Sequence, residues 1–179
     1  MTDPRLRARI LRWALFVALA GAVYFLRLLP TGSGSGGIPG PDWEILLAFA
    51  WVLRRPDCIP AVLFAAVVFL GDILFLRPPG LWSVIALIGL EFLRSRARFA
   101  SGLPLLFEWA LVGTVLLLMT LGNRIALTVF LLPRPEATLD ILHLGMNLLA
   151  YPFVVGASGW LFGVRHELPG GQGEPGQRP

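Results

Sequence analysis

The sequence predicts an all-α integral membrane protein with about six transmembrane helices, and three observations carry that prediction. Of its 179 residues, 56% are hydrophobic and 15% charged, with a mean hydropathy of +0.73. A soluble domain of this length cannot bury so apolar a chain. The apolar residues fall into about six runs separated by short polar or Gly/Pro-rich gaps. Lysine is absent, and the fifteen arginines alternate between rich and poor gaps. Arg5, Arg7, Arg9, Arg12, Arg54, Arg55, Arg94, Arg96, Arg98, Arg165 and Arg178 fall on one side of a six-span topology, and Arg27, Arg77, Arg124 and Arg134 on the other. Basic residues concentrate in cytoplasmic loops, so both chain ends are expected in the cytoplasm of a bacterial inner-membrane protein. Merging two neighbouring runs would put an arginine cluster on the wrong side.

Span one is expected over residues 10–29. Its basic start is like that of a signal peptide, but a small-residue cleavage site is missing and five more apolar runs follow. Ala14, Ala18 and Ala22 recur every four residues and make a smooth stripe along which a helix can approach closely. Packing within the bundle is the plain use of that stripe, and a partner helix the functional one. Residues 31–41, rich in Gly, Ser and Pro, read as a flexible external linker. Span two, 42–53, contains an apolar run of nine residues, well short of the about 20 that a straight span needs. It is expected to be short, tilted or partly re-entrant, and to depend on its neighbours. Span three, 59–76, follows a tight turn and carries Asp72 near its outer end, after which Pro78, Pro79 and Gly80 force a reversal. The apolar part of span four, 81–94, reaches about 20 Å against a hydrocarbon thickness of about 30 Å, so Arg94 is expected to snorkel. A continuous helix over 103–132 would reach about 45 Å. The polar break Gly122, Asn123, Arg124 is therefore expected to end span five (103–121), leaving 125–132 as an external or interfacial extension. Span six, 139–164, completes a single membrane domain over 1–168, and 169–179 is expected to be a disordered cytoplasmic tail.

Polar residues at membrane depth are costly and usually have a reason. Asp72, Glu91 and Glu108 are the acids inside apolar runs, each costing about 2.5–3.5 kcal/mol at the centre of an isolated span. Glu91 and Glu108 lie beside Arg94, Arg96 and Arg98, so mutual neutralisation is expected. Asp72 is expected to pair with Arg77, Arg27 or Arg124 and to serve structure in preference to a proton or ion relay. In span six, Asp140, His143, Asn147, Tyr151 and Ser158 follow spacings of three, four, four and seven, which puts them on one helical face. Interhelical hydrogen bonding is the plain reading, with a ligand site or partner surface as the functional one. Gly156, Gly159 and Gly163 continue this helix with small residues suited to close packing.

Several function classes are excluded. The sequence pI is 10.5, but the arginines are divided among short loops, which suits topology and anionic lipid headgroups and not nucleic acid. A single cysteine, Cys58, precludes an internal disulfide and a multi-cysteine metal site, and no cofactor or metal is expected. His143-x-x-x-Asn147 and Gly156-Ala157-Ser158-Gly159 resemble the signatures of rhomboid intramembrane proteases, but here both lie on one helix. His143 and Ser158 are then about 22 Å apart, where a nucleophile–base hydrogen bond needs about 3 Å. His166 is about 12 Å beyond Ser158 along the same axis. With no Gly-Lys phosphate loop, HExxH or CxxC, the chain is expected not to be an enzyme.

Residues 40–98 resemble the MreD family of bacterial rod shape-determining proteins, especially the alphaproteobacterial forms. The similarity lies in Arg54-Arg55-Pro56-Asp57, Gly71-Asp72, Arg77-Pro78-Pro79-Gly80-Leu81-Trp82 and Glu91-Phe92-Leu93-Arg94; spans five and six fit in length and topology only. The resemblance implies a non-enzymatic inner-membrane scaffold that acts with MreC, MreB and the elongation-specific glycosyltransferase and transpeptidase to organise lateral peptidoglycan synthesis and maintain cell shape. It also implies a fold like that of the six-helix substrate-binding subunit of energy-coupling-factor vitamin transporters. Such a vitamin-uptake subunit is the alternative. It would need an external pocket, for which Trp43, Trp82, Asp140, His143 and Asn147 are the candidates, and its Ala14, Ala18 and Ala22 stripe would meet a coupling protein.

Overall fold

The apolar runs form six α-helices in the computed structural model, which describes residues 4–29, 40–100 and 104–161. They are α1 (Pro4–Leu28), α2 (Trp43–Arg54), α3 (Ala61–Leu74), α4 (Leu81–Ala100), α5 (Leu105–Val129) and α6 (Ala137–Leu161). Among the described residues there are no strands. Three stretches, Arg9–Leu28, Leu105–Val129 and Ala137–Gly159, are long and apolar enough to cross a membrane, which makes this an all-α membrane protein. Most of residues 31–41, the tail 169–179 and Gly163 lie outside the described residues.

The shortest helix is the centre of the molecule. α2 packs against α1, α3, α4 and α6, and from Glu44 to Leu53 every side chain except that of Leu47 is buried. A helix that is apolar all round belongs in a core, and one shielded by protein need not match the bilayer. Its 12 residues rise only about 18 Å. The Asp42 carbonyl accepts from Ile45 and Leu46 at its start. At its end Pro56 blocks continuation, and Arg54 Nη1 folds back to the Ala50 carbonyl at 2.9 Å.

α3 and α4 are joined through Asp72. The Asp72 carbonyl accepts the Arg77 amide at 2.9 Å, closing α3 with Leu76 in the left-handed region, where glycine is usual. Its carboxylate Oδ2 accepts from the Gly80 amide (3.1 Å), the Ser83 amide (3.2 Å) and Ser83 Oγ (2.7 Å), capping the N-terminus of α4. The expected arginine partner is thus replaced by helix-end donors. Arg27 and Arg77 turn to Asp42 and Arg124 to Asp140.

Two helix ends differ from expectation. α5 runs unbroken from Leu105 to Val129, about 37 Å, through Gly122, Asn123 and Arg124. Such residues cost at most about 1 kcal/mol each inside a helix, and the burial of Leu127 beyond them holds the last turns in place. α4 continues to Ala100. Arg94 braces the α2–α3 turn, donating to the carbonyls of Pro56 (3.1 Å) and Ile59 (2.6 Å).

In the same turn the Cys58 amide donates to the Arg55 carbonyl at 2.9 Å and the thiol is buried. Burial pushes the Cys58 thiol pKa up. Maleimide is therefore expected to label the folded protein slowly and the denatured protein at once. Equal rates would mean that the turn is open.

Candidate functional site

Charged and polar side chains gather at the two ends of the bundle. Arg54, Arg55, Arg94, Arg96 and Arg98 lie at one end, with Arg12 close enough to act on Cys58. Arg27, Arg77, Arg124 and Arg134 lie at the other. For these arginines the sequence alternation is a spatial segregation.

Near the first end, Arg54 and Glu108 form a two-pronged ion pair. Arg54 Nη2 lies 3.1 Å from Glu108 Oε1 and 3.2 Å from Oε2, and the two side chains are only 7% and 3% exposed. Tyr151 donates its hydroxyl to Glu108 Oε1 at 2.6 Å. Beyond the α4 arginines expected from sequence, buried α2 supplies Glu108 with a charge partner in Arg54. Glu91 does pair with Arg94, one turn away on the surface of α4, where such a contact contributes little.

At the opposite end Asp42 ties four elements together. Its amide donates to Asn147 Oδ1 at 2.8 Å. Its Oδ1 lies 3.4 Å from Arg27 Nη1 and 3.7 Å from Arg77 Nη2, and Oδ2 lies 3.2 Å from His143 Nε2. Arg27 also donates to the Pro41 carbonyl and lies 3.7 Å from Glu44. Asn147 Nδ2 is 3.4 Å from the same imidazole nitrogen. That nitrogen cannot donate to Asp42 and accept from Asn147 at once, and the shorter contact to a carboxylate favours Nε2–H facing Asp42. Asp42, Glu44, Arg27, Arg54 and Arg77 were not singled out from sequence as site residues. The available signal was two acids at the mouth of a nine-residue apolar run.

Every member of the span-six stripe meets a neighbouring helix or its cap. Besides the contacts of His143, Asn147 and Tyr151, Asp140 pairs with Arg124 at 2.6 Å, and Ser158 Oγ accepts from Trp51 Nε1 at 3.2 Å. Within the stripe, Pro152 has no N–H, which deprives the Leu148 carbonyl of its helical donor. Trp109 of α5 replaces that donor, its Nε1 lying 2.8 Å from the Leu148 oxygen. Trp109→Phe is expected to cost about 1–2 kcal/mol. In a Pro152→Ala background, where a backbone N–H takes the carbonyl, the cost should shrink by half or more. Equal costs in a double-mutant cycle of thermal midpoints would refute the compensation.

The small residues sort differently from expectation. A Cβ added at Gly156 or Gly159 would meet nothing within 4 Å, so neither mediates close packing in this bundle. The close approaches occur elsewhere. A Cβ at Gly89 would lie 2.9 Å from Met119 Sδ, and one at Gly71 2.6 Å from the Tyr24 hydroxyl. Ala14, Ala18 and Ala22 are exposed, while Phe16, Ala20 and Tyr24 form the buried face of α1. The alanine stripe therefore points away from the bundle and does not pack within it.

A cavity of about 730 Å³ opens at the Asp42 end, between the α3–α4 connection, the end of α5 and the start of α6. Arg27, Arg77 and His143 line it, and Trp82, Leu127 and Leu139 give it apolar walls. Of the five residues expected in an external pocket, Trp82, Asp140 and His143 line it, whereas Asn147 is engaged behind it by Asp42 and Trp43 lies outside its lining. No protein-family model, curated protein or solved structure matches the chain. A functional assignment therefore rests on the residues themselves.

Proposed function

We propose that this chain is a non-enzymatic membrane scaffold of the MreD type, which holds partners of the bacterial cell-elongation machinery in place during lateral wall synthesis. The observation that carries this reading is the use made of the residues on which the family resemblance rests. Asp72 links the end of α3 to the start of α4 together with Gly80 and Ser83. Arg94 clamps the Arg54-Arg55-Pro56-Asp57 turn. These residues spend their polar atoms on fixing the bundle, which is what a scaffold requires. In this reading all six helices act as spans, α2 being carried across by the helices around it. The Arg54 end is cytoplasmic, with both termini on that side, and supplies arginines to anionic lipid or to MreB. The outward face of α1, with Ala14, Ala18 and Ala22, offers a smooth track for the membrane helix of MreC.

A second reading has one observation in its favour. The cavity at the Asp42 end is of a size to hold a small molecule, as a vitamin-uptake subunit would need. Affinity purification of the tagged protein from native membranes in mild detergent separates the two. MreC with the wall synthases is the expected result, whereas a coupling membrane protein with paired ATPases would establish the transporter reading. Replacing Ala14, Ala18 and Ala22 by leucine should abolish MreC recovery at unchanged protein level; full recovery would remove α1 as the contact.

A further inference from the structure

The cavity at the Asp42 end is built for an anion. Three helices begin beside it: Gly40 lies just ahead of α2, Leu81 and Trp82 belong to the first turn of α4, and Leu139 and Asp140 to that of α6. The start of α4 is already met by the Asp72 carboxylate, so the preference for an anion comes from side chains. The guanidiniums of Arg27 and Arg77 stand on either side of the Phe75 ring, 5.6 and 5.9 Å from its centroid, and Arg77 also stacks on Trp82 at 5.8 Å. Both have Asp42 Oδ1 as a neighbour, at 3.4 and 3.7 Å. Arg27 also donates to the Pro41 carbonyl, whereas the Arg77 contact is too long for a hydrogen bond, and two guanidiniums that meet on one oxygen are close enough to contact one tetrahedral anion.

The acids nearby are set back from the cavity surface or paired. Asp42 and Glu44 are buried behind the guanidiniums and do not line the cavity. Asp140, which does, is held by Arg124 at 2.6 Å. Trp82, nine-tenths buried, contributes wall to the cavity, while its indole Nε1 is buried without an acceptor among the described residues. Leu127, Pro133 and Leu139 supply apolar lining.

We propose that this cavity binds a phosphate monoester with an apolar body, its phosphate on Arg27 and Arg77 and its body against Leu127 and Leu139. Two guanidiniums, each with several N–H donors, suit the several oxygens of a phosphate. The apolar wall favours a lipid as the source over a water-soluble phosphate ester. The inference does not depend on which partners the protein holds.

The test is calorimetric titration of the purified full chain in neutral detergent. The probes are dihexanoyl phosphatidic acid, dihexanoyl phosphatidylcholine and glycerol 3-phosphate. Saturable binding of one phosphatidic acid per chain is expected, with phosphatidylcholine at least about tenfold weaker because its phosphate is a zwitterionic diester. Glycerol 3-phosphate binding about tenfold weaker identifies a lipid source; equal binding keeps the phosphate site and makes its source soluble. Arg77→Gln should weaken phosphatidic acid binding by about tenfold or more. Because Arg77 also lies beside Asp42, a second variant, Leu139→Trp, fills the apolar wall and leaves every charge in place. It should weaken binding equally. Absence of saturable binding by both phosphate monoesters, or binding that survives either variant in folded protein, would overturn the proposal.

Discussion

Glu108→Ala is expected to lower the stability of the detergent-solubilised protein by about 3–5 kcal/mol, because it strands a buried guanidinium. Arg54 is 7% exposed, its Nη2 is 3.1 Å from Glu108 Oε1, and the same oxygen accepts the Tyr151 hydroxyl at 2.6 Å. Removing the carboxylate leaves a cation against the bundle core and a tyrosine hydroxyl without this acceptor, joining α2, α5 and α6 no longer. The pair itself need not be strongly stabilising, since desolvation offsets much of its attraction. The double variant Arg54→Leu, Glu108→Leu should therefore recover most of what the single variant loses. Tyr151→Phe should cost only about 1–2 kcal/mol, the value of one hydrogen bond to a charged acceptor. Thermal unfolding followed by tryptophan fluorescence would rank the three. A double variant as unstable as Glu108→Ala would show that the ion pair is not the source of the loss.

The Glu108 case shows what the sequence could and could not reveal. Its apolar flanks marked it as a buried acid in need of a cation, but arginines ten or more residues earlier in α4 were nearer in sequence than Arg54. Helical periodicity identifies the face on which a residue lies, not the helix that face will meet. The span-six stripe was legible for the same reason: spacings of three and four put its members on one face, and they all engage neighbours. Asp42 escaped because it lies at a helix start within a Gly/Pro-rich segment, where periodicity has nothing to report. Gly71 and Gly89 escaped because an isolated glycine in an apolar run gives no sign of the side chain across from it, whereas Gly156 and Gly159 gave a small-residue pattern with nothing packed against it. The α5 break was overestimated because a locally unfavourable Gly-Asn pair costs less than the burial of Leu127 and the Arg124–Asp140 pair return.

Asp72→Ala is expected to lower stability by about 2–4 kcal/mol, and to do so by freeing one helix end from another. The carboxylate of Asp72 is fully buried, and its Oδ2 serves three donors on the far side of the α3–α4 connection. Two of them are amides that begin α4 and have no carbonyl within that helix to meet. The negative charge also lies at the positive end of the α4 dipole, which lowers the cost of burying it. Asp72→Asn keeps an oxygen acceptor but loses the charge, so about half the loss is expected. Ser83→Ala removes one of the three bonds and should cost about 1 kcal/mol. The order Asp72→Ala, Asp72→Asn, Ser83→Ala in falling thermal effect is the signature of a charged cap. If Asp72→Asn matches wild type, the charge is irrelevant and only the hydrogen bonds count. If Asp72→Ala matches Ser83→Ala, the connection is held by the packing around Phe75 and Trp82 and not by the cap. Because Arg77 and Trp82, which line the cavity, flank this connection, a loosened cap should also weaken phosphate binding. Ser83→Ala, which leaves the two amide bonds to Asp72 intact, should not.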